Sequence, residues 1–207
     1  MKLFHHPFSS NARKAVITAK LVRLEPELIF VDLAKGGQRD PAFLAINPNG
    51  KVPALVDGDL KLHESYAIMV YLAEKAKDVS LYPIDPAARA LVQQWLFWCA
   101  NELSPPVGKL NFENMLKAMF GQGAPDPAVV EPNTKAVDRL MGILDTNLAG
   151  KNWLVGDTMT LADVSIAVTM MTHIPAKLPL AAHKNVLAWF ERVSATEAWK
   201  ATEPQMG

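Results

Sequence analysis

The chain has 207 residues, of which 50% are hydrophobic and 20% charged, enough to bury a sizeable core as one large domain or two small ones. Twenty-one Lys and Arg balance 21 Asp and Glu. That excludes the basic footprint of a nucleic-acid binder and the acidic bias of a disordered tail. The single cysteine, Cys99, excludes an internal disulfide and any C-x-x-C zinc or redox motif. Residues 1–7 lack the apolar run of a secretion signal, and residues 164–171 fall well short of the ~20 that a membrane span needs. A cytoplasmic chain without a membrane or nucleic-acid partner is expected.

Leu3-Phe4-His5 reads as a short strand ended by Pro7. Ala12, Ala15, Val16 and Ala19 then recur at helical spacing. The apolar run of residues 28–31 is that of a strand buried on both faces, so the order β-α-β predicts a right-handed crossover and a parallel pair. Two further apolar runs flank Asp57-Gly58-Asp59, a hairpin signal. A helix carrying Ile68, Tyr71 and Leu72 follows, with Ser65 near its start. These elements predict a small α/β sandwich over residues 1–77.

Residues 78–86 read as a linker, with Asp85 and Pro86 opening the next helix. From there to residue 207 no convincing strand pair occurs, and an all-α domain is expected over 87–207. Trp95, Trp98, Val92, Leu96 and Cys99 make its first helix apolar on most sides, a pattern that suits the centre of a bundle. Pro105-Pro106 is expected to end or bend that helix. Stretches through Phe112, Met115, Leu116 and Met119, and through Val137, Leu140, Met141, Leu144 and Leu148, predict two more helices. Thr160-Leu161-Ala162-Asp163 has the spacing of a capping box. Val186, Trp189, Phe190 and Val193 mark a last helix.

Three short segments could carry chemistry. The first is Ser9-Ser10-Asn11 at a helix start, where hydroxyls, exposed N–H groups and the helix dipole stabilise an anion such as a thiolate. The same residues also suit plain helix capping. The second is Lys51-Val52-Pro53, where a proline entering a strand suggests a fixed bond and an outward-turned Val52 backbone able to pair with an extended ligand. The third is Glu64-Ser65, a hydroxyl and a carboxylate at a further helix start. His5, His6 and His63 lack paired ligand spacing, so no metal site is expected.

Taken together, Ser9-Ser10-Asn11-Ala12-Arg13-Lys14, the run from Asp40-Pro41 through Asn47-Pro48-Asn49-Gly50-Lys51-Val52-Pro53-Ala54-Leu55, Glu64-Ser65 and Thr160-Leu161-Ala162-Asp163 resemble the cytosolic glutathione S-transferases. The likeness runs the whole length and is closest to the serine-dependent phi and theta classes or a bacterial relative. It implies a thioredoxin-like βαβ-ββα domain followed by a helical bundle. It further implies an enzyme that uses glutathione as co-substrate, without a cofactor, against small hydrophobic electrophiles.

At matching positions the resemblance gives Ser9 the sulfur-activating hydroxyl, with Ser10 and Asn11 as reserves. It gives Lys51 the glycyl carboxylate, Val52 the cysteinyl backbone, Pro53 the family's cis-proline, and Glu64 and Ser65 the γ-glutamyl end. Gln38 and Arg39 fall where phi members carry a His-Lys pair for the glycyl end. Phe8, Trp98, Phe112, Met115 and Phe120 are the candidates for an apolar electrophile site. Asp163 is implied to serve folding. A homodimer is implied, the first domain of one chain lying against the helical domain of the other. A glutathione-dependent peroxidase or disulfide-bond reductase, and a non-catalytic glutathione-binding protein of the same fold, are the alternatives. The maleylacetoacetate isomerase branch normally has cysteine where Asn11 stands.

Overall fold

The computed structural model describes residues 1–204 and divides into two compact units. The first comprises Met1–Asp85 together with the segment from Ala195 onward; the second is Pro86–Ser194. The closing segment therefore belongs with the α/β unit, and not with the helical stretch 87–207 in which the sequence groups it. Arg13 supplies a physical reason. Its Nη2 donates to the Trp199 carbonyl at 2.9 Å, and its guanidinium stacks 4.2 Å from the centre of the Trp199 ring.

In the first unit β1 (Lys2–His5), α1 (Ser10–Leu21) and β2 (Glu27–Phe30) form the crossover, with β1 and β2 parallel. Two short helical pieces follow, a 3-10 turn at Gly37–Arg39 and α2 (Pro41–Leu44). Then come β3 (Ala54–Asp57), β4 (Leu60–His63) and α3 (Ser65–Lys75). The sheet order is β2-β1-β3-β4.

Leu3 and Phe4 point to opposite faces of β1. Leu3 is fully buried, while Phe4 meets Phe43 of α2 edge-on with ring centroids 5.8 Å apart. On α1 and α3, Ala12, Ala15, Ile68, Met69 and Leu72 are buried without residual exposure. Gly58, at φ 60°, lets the hairpin turn in two residues. Asp57 ties that hairpin to α3 by accepting from Tyr71 Oη and Lys75 Nζ, each at 2.6 Å.

The double-sided burial expected for β2 is not observed: Leu28 and Phe30 are 47% and 57% exposed. The strand sits at the sheet edge, with a partner on one side only. An apolar run has the same appearance at an edge as at a centre.

The second unit contains α4 (Pro86–Trp98), α5 (Ser104–Asn111), α6 (Lys117–Met119), α7 (Pro127–Leu148), α8 (Leu161–Thr169) and α9 (Lys184–Ser194). Pro105-Pro106 does not end the first helix. Wide π turns at Cys99–Leu103 and Phe112–Leu116 carry the chain in helical form from 86 to 119. The prolines lie in the first turn of α5, where their missing N–H groups are tolerated. The stripe Val137, Leu140, Met141, Leu144 and Leu148 on α7 is buried. So is the whole of α8. Among the described residues no helix is long and apolar enough to cross a membrane. A final short helix, α10 (Glu197–Lys200), belongs to the first unit.

Candidate active site

The sheet register brings the three chemical segments to one end of the first unit. Phe4 of β1 and His63 of β4 both pair with Ala54 of β3. The chain leaving β1 toward α1, the Val52-Pro53 entry to β3, and the Glu64-Ser65 exit from β4 therefore share that end of the sheet.

Ser9 is the N-cap of α1, and its Oγ accepts from Ala12 N at 3.2 Å. A serine hydroxyl has one proton as well as its lone pairs. Among the described residues nothing takes that proton. Ser10 is the first residue of the helix, and Asn11, in the same turn, is exposed. Asn11 Oδ1 accepts from Lys14 Nζ at 3.1 Å.

The Val52–Pro53 bond is cis, and Val52 is buried to 9% exposure. Among the described residues neither its N–H nor its C=O enters a hydrogen bond, so the pair is open to an extended ligand strand. Asn47 shapes the approach to it by donating from Nδ2 to the Lys51 carbonyl at 2.6 Å. Gly50 adopts φ 59°, and a Cβ there would stand 3.2 Å from the Gln38 carbonyl. This close approach brings the Gln38-Arg39 turn against the Gly50-Lys51 turn. The Arg39 and Lys51 side chains are exposed, and among the described residues neither forms an ion pair. Gln38 Oε1 is buried without a hydrogen-bond partner. The two turns that carry Arg39 and Lys51 thus approach each other through the backbone at this corner.

Glu64 stands at φ 71°, a left-handed conformation unusual for a residue other than glycine, immediately before α3. Its side chain does not cap the helix. Ser65 is 4% exposed, and among the described residues its hydroxyl has no hydrogen-bond partner. The first turn of α3 therefore sets the Ser65 and Ala67 N–H groups at the positive end of its dipole, where an anion is favoured.

Phe8 of the first unit is 54% exposed. In the second, Phe112 and Phe120 are 38% and 62% exposed, while Trp98 and Met115 are half-buried. Cys99 is buried, its Sγ 3.3 Å from Thr169 Oγ1. Among the described residues no group of three or more His, Cys, Asp or Glu side chains could hold a metal ion.

The glutathione S-transferase N-terminal domain model matches residues 1–74, and the C-terminal domain model matches 109–197. The chain belongs to the glutathione S-transferase family. Glutathione S-transferase 3 of Zea mays is 35% identical over 98% of this chain and 92% of its own length. A glutathione transferase of Populus trichocarpa superposes with TM-score 0.90 at 27% identity, covering 97% and 96% of the two chains. A glutathione S-transferase solved with lactoylglutathione bound gives TM-score 0.90 at 27% identity over 99% of both chains. The thioredoxin-like first domain and helical second domain expected from the sequence are those of this glutathione S-transferase fold.

Two features of the site escaped the sequence. One is the strained backbone of Glu64, which has no sequence signal because the residue is not glycine. The other is Lys14, buried at 1% exposure with Nζ on Asn11 and on Tyr66 Oη. Its only sequence signal is the three-residue spacing from Asn11.

Proposed function

We propose that the protein binds glutathione along this end of its first unit and activates the thiol for transfer to small hydrophobic electrophiles. The observation that carries the reading is the open start of α3. The unpartnered Ser65 hydroxyl, the Ser65 and Ala67 N–H groups and the Glu64 carboxylate share one end of the sheet with the unpaired Val52 backbone. These are the needs of a γ-glutamyl carboxylate and amino group followed by an extended peptide. Lys51, Arg39 and Gln38 would take the glycyl carboxylate at the far end.

The cysteinyl sulfur then falls to the N-terminus of α1. A thiol with ordinary pKa near ~8.5 is mostly protonated at neutral pH, whereas the thiolate is the nucleophile. The Ser9 hydroxyl, with its proton available, would donate to sulfur and favour the anion together with the helix dipole. Serine remains protonated throughout and forms no bond to substrate. The thiolate attacks the electrophilic atom of the second substrate, whose leaving group departs with the displaced electron pair or whose double bond takes up a proton. Phe8 of the first unit is an exposed candidate for apolar contact with it.

Glutathione is consumed as a co-substrate, and the reading requires no cofactor. A homodimer in the cytoplasm is part of the same reading; light scattering that gives a monomer at micromolar concentration would remove the dimer. The activity is tested by turnover of a panel of electrophiles, peroxides and mixed disulfides with glutathione. Conjugation of electrophiles is expected to dominate. Turnover confined to peroxides or disulfides would make it a peroxidase or reductase, and binding without any turnover a non-catalytic protein.

A further inference from the structure

Lys14 lies inside the first unit at 1% exposure. Burying an ammonium is costly unless its protons are used. Here Nζ donates to Asn11 Oδ1 at 3.1 Å and to Tyr66 Oη at 3.0 Å, and it lies 4.6 Å from the centre of the Tyr66 ring. Asn11 is in the first turn of α1 and Tyr66 in the first turn of α3. One buried side chain thus joins the two helix starts that form the candidate site.

The chemistry of the partners fixes an orientation. An ammonium has donors and no acceptor, so the Asn11 amide must turn its oxygen to Lys14. Its Nδ2 donors are then directed away from Lys14, on a residue that is itself exposed. Without Lys14 the amide could rotate and offer either end. We propose that Lys14 is a positioning residue for sulfur activation: by holding Asn11 Oδ1 it presents the Asn11 amide as a second hydrogen-bond donor beside Ser9. The inference rests on the proposed use of the α1 start for the glutathione sulfur.

Other titratable groups stand on the elements around α1. Arg13 is on the same helix, His5 on β1, Tyr66 on α3, and Glu203, whose charge acts on Arg13, on the C-terminal segment. They are unchanged in variants of Lys14 and Asn11, so differences among those variants report on these two residues.

The experiment is the ultraviolet thiolate titration of bound glutathione in the full-length wild type, Asn11→Ala, Lys14→Met, Lys14→Arg and the double variant Lys14→Met/Asn11→Ala. Asn11→Ala is expected to raise the thiol pKa by about one unit, the worth of one donor to an anion. Lys14→Met should raise it by a similar amount, and Lys14→Arg, again a donor without acceptors, should restore it. The double variant should shift no further than Asn11→Ala alone. An additive shift in the double variant would overturn the proposal, because Lys14 would then act as an independent charge. So would an unshifted Lys14→Met.

Asn11 is exposed, so its replacement keeps the test decisive if Lys14→Met does not fold: an Asn11→Ala protein that titrates like wild type overturns the role of Lys14. That result leaves the functional reading standing if the wild-type thiol pKa is depressed. A wild type that fails to bind glutathione overturns the functional reading and this inference with it.

Discussion

Helices α3 and α8 both begin with a hydroxyl and a carboxylate, and the two starts are built in opposite ways. At α8, Asp163 is fully buried and its oxygens are consumed: it accepts from Leu154 N at 3.0 Å, Thr160 N at 2.8 Å and Trp189 Nε1 at 2.8 Å. Burial pushes its carboxyl above the usual range, against the pull of those hydrogen bonds. At α3, Glu64 is held at φ 71° with its carboxylate outside, and Ser65 is buried with its hydroxyl unused. A helix start whose polar needs are met from within holds a fold together. One whose needs are left open, at the cost of backbone strain, suits the ligand proposed for it.

That contrast is broken most severely by Asp163→Ala. Four donor groups, the Thr160 hydroxyl among them, lose their acceptor at once, and the loss should be roughly 3–5 kcal/mol of stability, lowering Tm by roughly 10 °C. Scanning calorimetry measures it. Whatever protein remains folded should bind glutathione as before; a variant of wild-type stability would show the α8 start to be as open as that of α3.

Ser9→Ala tests the other side. One hydroxyl donor to a thiolate is worth about 1.5–3 kcal/mol, so conjugation should slow roughly ten- to a hundredfold as the bound thiol pKa rises. Glutathione affinity should be largely kept, since binding rests on the carboxylate ends. Kinetics paired with thiolate titration separates the two. A normal pKa in Ser9→Ala together with a raised one in Ser10→Ala would transfer the role to Ser10.

Lys51→Ala should do less, about 1 kcal/mol of glutathione affinity, because the side chain is exposed and screened. Calorimetry at low and high salt should find the wild-type advantage shrinking as salt rises. The smallest effect is expected at Asp57, at the turn end of the β3-β4 hairpin, the end opposite the α3 start. The Lys75 ammonium and then the Tyr71 hydroxyl hold its carboxyl below the usual range. A folded pKa lower than the unfolded one stabilises above the ordinary aspartate range and is lost as pH falls through the folded value. Asp57→Asn should therefore lower stability slightly near neutrality, converge with wild type at low pH and so flatten the acid limb of the profile, as melting curves from neutral to acid pH will record.

The parts of the fold that repeat with a period were readable in the sequence. Ala12-Ala15-Val16-Ala19, the α7 stripe and the Asp-Gly hairpin each declare their own element. The sheet edge was not, because the apolar run at residues 28–31 does not say how many neighbours the strand will have. Nor was the passage of the chain through Pro105-Pro106, where the helix was expected to end or bend and π turns carry it on. The four-residue helices α2 and α10 are too short to show a period.

At the site, Ser9, Lys51, Val52, Glu64 and Ser65 stood out by residue type and order. What made their surroundings specific lay in three dimensions. Glu64's φ, the contact of Gly50 with Gln38, and the inward turn of Lys14 depend on partners distant in the chain.

The contrast between the two helix starts is tested most directly by the calorimetric affinity of Ser65→Ala for glutathione. The open start predicts a loss of about 1.5–3 kcal/mol, a tenfold or greater rise in Kd, without loss of thermal stability. Affinity equal to wild type, or a fall in Tm in place of a fall in affinity, would make Ser65 a structural cap like Thr160 and contradict the account.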